Sequence, residues 1–248
     1  MRGILLAASA VALSSSFASA ADMSVKAPVA VPVTYTWTGC YIGVNTGGAW
    51  AHKDTHFTND DGTPVDNPLG STTARGWAYG GQIGCDYQFN NKWLVGILGM
   101  WDGSNMSGSS PFATFNPANT NNYKIDSFGT LVGKLGFLLT PTVQLYGLGG
   151  VAWVRDELRW TNGPNGELAA ATQTRTGYDV GVGLAWMFAH NWDIWVEYDH
   201  MGFGTKNFHL IGEGIEAGFF FDADVKQSVD KVLVGIDFRF GGPVSMKY

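Results

Sequence analysis

Ionisable residues recur at alternate positions in segments that otherwise hold glycine and large apolar residues. Such charges could line an ion path, or they could pair as salt bridges that fill an enclosed interior. We favour salt bridges, because a carboxylate left alone in a narrow interior is costly. Lys231 could serve as a further cation. The candidate members of this charge network are Asp86, Lys134, Asp179, Glu197, Asp237 and Arg239.

The chain has two cysteines, Cys40 and Cys85. A hairpin register that pairs Trp37 with about Phe89 sets the two cysteines opposite each other. In an oxidising compartment such a pair can form a cross-strand disulfide. Directly opposed strand cysteines can also be strained. A disulfide and two unpaired, outward-facing thiols therefore both remain open.

The histidines offer two further kinds of chemistry. His52 and His56 lie four residues apart in an acidic segment, but that segment indicates no fixed metal geometry. His200 could assist a serine in lipid modification, yet the sequence sets neither a serine nor an acid beside it. The chain also lacks the nucleotide, zinc-protease, serine-hydrolase and CxxC motifs. We expect no enzyme activity, no metal and no cofactor.

The N-terminus reads as an export signal. Arg2 precedes an apolar stretch, and a small-residue site follows, so residues 1–20 are predicted to be a signal peptide cleaved between Ala20 and Ala21. Residues 21–36 contain two prolines and are predicted to be an extended periplasmic leader. The mature protein is therefore expected beyond the inner membrane.

The rest of the chain alternates with period two. Tight connections at 90–92, 140–142 and 189–191 each precede a large apolar residue, which is a hairpin signal. Four connections are long and polar: 52–74, 104–123, 156–174 and 203–227. Eight strands follow: about 39–51, 75–89, 93–103, 124–139, 143–155, 175–188, 192–202 and 229–240. The strands delimit a domain at 37–240 and a tail at 241–248.

The two faces of these strands differ in composition. One face is bulky, apolar and free of Asp, Glu, Lys and Arg, whereas the other holds glycine and the charges. A soluble sandwich would bury the bulky face, which leaves the extra glycines and the aromatic strand ends unexplained. Lipid accepts the bulky face, and a lipid-facing Arg or Lys costs about 2–4 kcal/mol at the midplane. We predict an all-β, antiparallel, up-and-down transmembrane β-barrel of eight strands, with short periplasmic turns and four long extracellular loops.

Composition agrees with a membrane barrel. Charged residues make up 15% of the chain and aromatic residues 14%, against about 25% charged residues in soluble domains. The net charge of −6 becomes −7 when Arg2 leaves with the signal, and the basic residues are dispersed. Such a chain is a poor nucleic-acid binder. No apolar run beyond the signal is long enough for a transmembrane helix.

Several motifs carry a family resemblance. They are WTGCYIGVNTGGAW (37–50), FGTLVGKLGF (128–137), YGLGGVAW (146–153), TRTGYDVGVGLAW (174–186), WVEY (195–198) and VGIDFRFGGPVSMKY (234–248). Their order and spacing resemble the small outer-membrane immunogenic, porin-like proteins of alphaproteobacteria, within the opacity and OmpA-like barrel superfamily. The resemblance implies an outer-membrane barrel with weak pore or surface-interaction activity. Cys40, Val132 and Ala185 depart from the family pattern, which weakens the inference of a pore.

We therefore expect a structural and surface-interaction protein of the cell outer membrane, with a lumen mostly plugged by charged pairs. Its expected partners are outer-membrane lipid and, through the loops, extracellular or host surfaces. A small diffusion porin for ions or solutes is the alternative, and an outer-membrane lipid-modifying enzyme is a third. The sequence indicates neither a ligand nor an oligomeric state.

Overall fold

The computed structural model describes residues 35–112, 118–162 and 166–240, without the side chain of residue 215. The predicted signal peptide with its Ala20–Ala21 junction, most of the leader and the tail at 241–248 lie outside the described residues.

The described chain forms a closed antiparallel barrel. Each strand pairs with the next along the chain, and the last pairs with the first, so the all-β, up-and-down fold is confirmed. The strands are β1 (Gly39–Asp60), β2 (Thr63–Gln88), β3 (Trp93–Pro111), β4 (Asn119–Thr140), β5 (Val143–Asn162), β6 (Gly166–Ala189), β7 (Trp192–Gly212) and β8 (Phe220–Phe240). A short 3-10 helix, Gly214–Glu216, precedes β8. None of the described residues forms a helix long and apolar enough to cross a membrane.

The bulky face of each strand points outward, as the alternation predicts. Ile83, for example, is 64% exposed although it lies in the middle of β2. Aromatic residues border this apolar band at both edges, as they do in membrane barrels. At the short-turn edge the exposed aromatics are Tyr87, Phe89, Trp93, Trp186, Phe188, Trp192 and Phe240. At the other edge they are Trp50, Trp77, Tyr79, Trp101, Tyr178 and Tyr198. We call these the inner belt and the outer belt.

The tight connections are hydrogen-bonded turns. In the β2–β3 turn, the Asn90 side-chain oxygen accepts hydrogen bonds from the backbone N–H groups of Lys92 at 2.9 Å and Trp93 at 2.8 Å. Asparagine suits such turns because its side chain can replace a backbone acceptor. Short turns of this kind lie on the periplasmic side of bacterial barrels.

The strands are much longer than predicted, and the four segments expected to be long loops are mostly paired strand. Residues 52–74, for example, form a hairpin that stays paired up to Asp60 and Thr63, with Asp61 and Gly62 as its turn. The reason is a change of solvent. Beyond the outer belt the outward face meets water and becomes polar, so the bulky and small alternation that marks the membrane part disappears.

These extensions build an outer section, which we define as the described residues within 51–76, 103–127, 154–177 and 200–230. A barrel strand needs only about 9–11 residues to cross a membrane, and β1 continues for ten residues past Trp50, to Asp60. At about 3.3 Å per residue and a tilt near 40°, the outer section projects roughly 25 Å. A separate cluster of buried apolar side chains, including Tyr123, Leu158 and Phe208, fills it.

Candidate functional site in the barrel lumen

Charged side chains lie inside the barrel at three heights. Inward parity places them in the lumen, and nearly all are buried. We call the groups the inner cluster, near the inner belt, the middle cluster, near the outer belt, and the outer cluster, in the outer section. The inner cluster contains Asp86, Lys134, Asp193 and Arg239; the middle cluster contains Asp102, Asp199 and Lys231; the outer cluster contains Lys53, Asp156 and Arg175.

The inner cluster is a chain of four alternating charges. Lys134 Nζ lies 2.8 Å from Asp86 Oδ2, and Arg239 Nη1 lies 3.1 Å from the same oxygen. Arg239 Nε contacts Asp193 Oδ2 at 2.6 Å. Four strands contribute one residue each: the bonds of Lys134 and Arg239 to Asp86 join non-adjacent strands, and the bond of Arg239 to Asp193 joins the neighbouring β7 and β8. Buried ion pairs that lose one partner leave an uncompensated charge, so the cluster depends on all of its members.

Aromatic rings close the periplasmic end around these cations. The Arg239 guanidinium lies 4.6 Å from the ring centroids of both Trp37 and Tyr41. Lys134 donates a 3.1 Å hydrogen bond to the Tyr41 hydroxyl. Trp37, which precedes β1, donates from Nε1 to the Pro141 carbonyl at 3.1 Å and is fully buried. The cations are therefore held by rings as well as by carboxylates.

The middle cluster has a single cation. Lys231 Nζ lies 3.3 Å from Asp199 Oδ2 and 3.6 Å from Asp102 Oδ2. The Met100 sulfur lies 3.3 Å from the same nitrogen, and the Phe128 ring centroid 5.4 Å. One buried ammonium thus contacts two carboxylates, Asp199 on the adjacent β7 and Asp102 across the lumen on β3.

Three predicted network members do not join an ion pair in the described structure. Glu197 accepts a 2.8 Å hydrogen bond from the Tyr146 hydroxyl, and Asp237 accepts one at 2.7 Å from the Gln82 amide. Asp179 is buried without an ion pair. Neutral donors therefore bond to two of these three acids, and the nearby Lys231 contacts Asp102 and Asp199 instead.

The outer cluster was missed by sequence reasoning because its residues fall in segments expected to be loops. Lys53 Nζ contacts Asp156 Oδ2 at 2.8 Å, and Arg175 Nε lies 3.5 Å from the same oxygen. Burial lowers the pKa of Lys53 to about 8, although Asp156 opposes the change. Burial also lowers the pKa of Arg175 and raises the pKa of Tyr123, whose hydroxyl bonds to Thr55. The available signal was the alternation of inward and outward positions in β1, which continues from Ala51 onward.

Glycines explain how a narrow barrel holds such large inward groups. Four lumen carboxylates each lie against a glycine that is their registered partner on the adjacent strand. A Cβ at these glycines would lie only 1.8 to 2.3 Å from a carboxylate oxygen. The pairs are Gly43 with Asp237, Gly80 with Asp102, Gly96 with Asp86 and Gly181 with Asp199. Inward aromatic side chains likewise lie against a registered glycine on the adjacent strand. The pairs are Gly84 with Tyr41, Gly183 with Tyr146 and Gly235 with Trp195.

The remaining candidate residues lie elsewhere. Cys40 and Cys85 are registered partners on β1 and β2, and their sulfurs are joined at 2.09 Å. His52 and His56 are exposed and contact aspartates at 3.5 and 3.6 Å. His200 Nδ1 lies 2.8 Å from an Asp230 oxygen, a contact that the sequence did not reveal. Within the described residues, no group of three or more His, Cys, Asp or Glu side chains is placed to hold a metal ion.

An apolar exterior, a closed ring of eight strands and an ion-paired interior define a transmembrane β-barrel. The chain belongs to the outer membrane protein beta-barrel domain family, whose sequence profile matches residues 6–240. It is similar to the 31 kDa outer-membrane immunogenic protein of Brucella melitensis, with 29% identity over 97% of this chain and all of the relative. The protein is accordingly one of the Gram-negative cell outer membrane, and the expected family and location are confirmed.

Solved structures share the fold. The outer membrane protease OmpT of Escherichia coli matches with a TM-score of 0.52 and 13% identity, covering 84% of this chain and 99% of that chain. The outer membrane protein OprG of Pseudomonas aeruginosa matches with a TM-score of 0.50 and 15% identity, covering 84% of this chain and all of that chain. At these identities the similarity concerns the fold alone.

Proposed function

We propose that this protein serves as a structural and surface-interaction component of the outer membrane, with no enzymatic role and a lumen closed by its ion pairs. The observation that carries this proposal is the outer section. Roughly half of β1 stands beyond Trp50, and its interior has an apolar core of its own. A projecting section of paired strands offers a preformed surface to extracellular or host partners, whereas flexible loops must be ordered on binding.

The closed lumen is supported by the three charged clusters. Lys134, Arg239 and Lys231 cross the lumen to carboxylates on other strands, and rings pack against each of them. An eight-stranded barrel has an interior that side chains nearly fill. A solute would have to break these contacts at more than one height in order to pass.

Planar-bilayer recording tests this proposal. The purified mature protein should give no stable conductance steps in bilayers. Replacing Lys134 and Arg239 by alanine removes both inner cations and should produce fluctuating current, since uncompensated acids attract water. Replacing the exposed Lys124 and Lys206 by alanine is the matched control and should stay silent. Regular steps from the unaltered protein would contradict the closed lumen, provided that its gel mobility changes on heating as for a folded barrel.

A small diffusion porin is the second candidate function, because the lumen is lined with charges that could exchange partners along an ion path. Regular conductance steps in the same recording would favour it.

A lipid-modifying enzyme is the third candidate, and the contact between His200 and Asp230 is the observation that keeps it testable. The unaltered protein and a His200→Ala variant should leave lipid A mobility equally unchanged. A change that this variant abolishes would establish the enzyme.

A further inference from the structure

The mouth of the outer section forms a pocket, and we propose that it binds a small organic cation with an aromatic or alkyl body, such as a substituted ammonium ion. The pocket has a volume of about 440 Å³, which lies within the range of small-molecule sites. The proposal extends the proposed surface role, and it does not depend on whether the lumen conducts.

Aromatic rings form the walls of this mouth pocket. Trp160 lies at the centre, with ring-centroid distances of 5.6 Å to Phe57, 5.5 Å to Phe112 and 5.8 Å to Phe221. Phe57 belongs to β1, Trp160 to β5 and Phe221 to β8, so the barrel itself fixes the arrangement. The face of an aromatic ring attracts a cation, and several rings together form the cage that recognises alkylammonium groups.

Negative charge lies at the rim of the same pocket. Asp60, the last residue of β1, and Glu216, in the 3-10 helix, both line it. Neither carboxylate forms an ion pair with another described residue, so both charges remain available to a ligand. An acidic rim above an aromatic wall raises the local concentration of cations and repels anions.

A residue that lines the pocket also carries an unused hydrogen-bond donor. Trp160 is only 5% exposed, and its Nε1 has no hydrogen-bond partner among the described residues. Buried donors usually have a partner, because leaving one unpaired costs free energy. An occupant that carries an acceptor oxygen near its cationic group could satisfy this donor.

The mouth pocket is blind. Below it the outer section is filled by Tyr123, Leu158 and Phe208, all of which are almost completely buried. Beneath these residues lies the buried contact between Lys53 and Asp156. A cation that enters from outside is therefore retained at the mouth, and the site is one of binding.

Calorimetric titration of the mature protein in lipid nanodiscs with benzyltrimethylammonium tests the proposal, with empty nanodiscs as the blank. We expect saturable binding at one site. The double variant Asp60→Asn and Glu216→Gln should bind at least tenfold more weakly, as should Trp160→Leu. The matched control, Asp66→Asn with Glu213→Gln, removes two exposed charges outside the pocket and should bind within twofold of the unaltered protein.

Benzoate, an aromatic anion of similar size, should not bind. The proposal is overturned if benzyltrimethylammonium does not saturate, if benzoate binds equally well, or if the control variant loses as much affinity as the rim variant. Heat-dependent gel mobility verifies that each variant is folded. The rim substitutions are conservative and near the surface, so they decide the outcome even if Trp160→Leu fails to fold. Because the titration measures no current, its result is separate from that of the bilayer recording.

Discussion

Lys53 is an ammonium group with almost no access to water, held between Asp156 and the Tyr123 ring. The ring centroid lies 4.5 Å from Nζ and the carboxylate oxygen 2.8 Å. Desolvation outweighs these attractions, since the pKa of Lys53 is lowered from 10.5 to about 8. In the folded protein this lysine therefore releases its proton far more easily than in the unfolded chain.

This difference predicts how stability depends on pH. Between pH 8 and pH 10.5 the unfolded chain binds the Lys53 proton while the folded barrel does not, so stability should rise with pH across that window. Each pKa unit corresponds to about 1.4 kcal/mol. A Lys53→Met variant should lose part of the rise in unfolding temperature from pH 8 to pH 10, as followed by circular dichroism in detergent. Lys206→Met, at an exposed site, should retain it. Identical pH profiles for Lys53→Met and the unaltered protein would contradict the prediction.

The alternation of the sequence was enough to assign the charged residues of the membrane part to the inner face, but it did not identify the partners. Arg239 and Asp86 lie on β8 and β2, which β1 separates, and their contact depends on strand tilt and on the reach of the arginine across the lumen. The alternation of inward and outward positions does not tell which charged residues contact each other. For the same reason, the neutral hydrogen bonds of Glu197 and Asp237 could not be foreseen.

Along a single strand, neighbouring glycines have opposite roles. In β5, Gly150 faces inward, and a Cβ there would lie 2.2 Å from the Leu131 carbonyl oxygen and 2.7 Å from the Val132 Cα. Gly149 faces outward, and the nearest atom to its Cβ would be the Asp179 carbonyl oxygen at 3.8 Å. The first contact involves backbone that cannot rotate aside, whereas the second is ordinary van der Waals contact.

Substitution of these two glycines should therefore give different results. Gly150→Ala should destabilise the barrel by about 1–3 kcal/mol, the usual cost of overpacking. Gly149→Ala should leave stability unchanged or slightly raised, because alanine reduces the freedom of the unfolded chain. Urea unfolding in lipid vesicles, followed by gel mobility, measures both variants. Equal effects would show that the close approach at Gly150 does not constrain the strand.

The length of the strands could not be predicted from the sequence. Within the membrane, lipid favours apolar residues at alternate positions, so the strands there can be predicted from the sequence. Above the outer belt, Lys53, Thr55 and Phe57 still point inward and are buried, but their outward neighbours are polar. The stretch then resembles a loop in composition, although both backbone edges are paired.

For the whole molecule, the projecting cylinder predicts resistance to proteolysis. The exposed basic residues of the outer section all lie in paired strands: Arg75, Lys124, Arg155, Arg159, Lys206 and Lys226. Trypsin must bind an unpaired, extended chain, so these sites should resist cleavage until the barrel is unfolded by heat. A variant with Gly-Ser-Lys-Gly-Ser inserted after Gly62 is the positive control and should be cut at once. Rapid cleavage of the folded, unaltered protein at Lys124 or Lys206 would show that these segments are loops.

The pairing of several bulky inward groups with a glycine on the adjacent strand also bears on how such a barrel can evolve. Enlarging one member without reducing the other would force two atoms into the same space, so residues inside the cylinder should change in coordinated pairs. On the outward face the same constraint applies where a large ring covers a glycine, as Trp101 covers Gly129. A lineage that acquires a conducting pore would have to pass through matched double replacements, for example at Trp195 and Gly235 together.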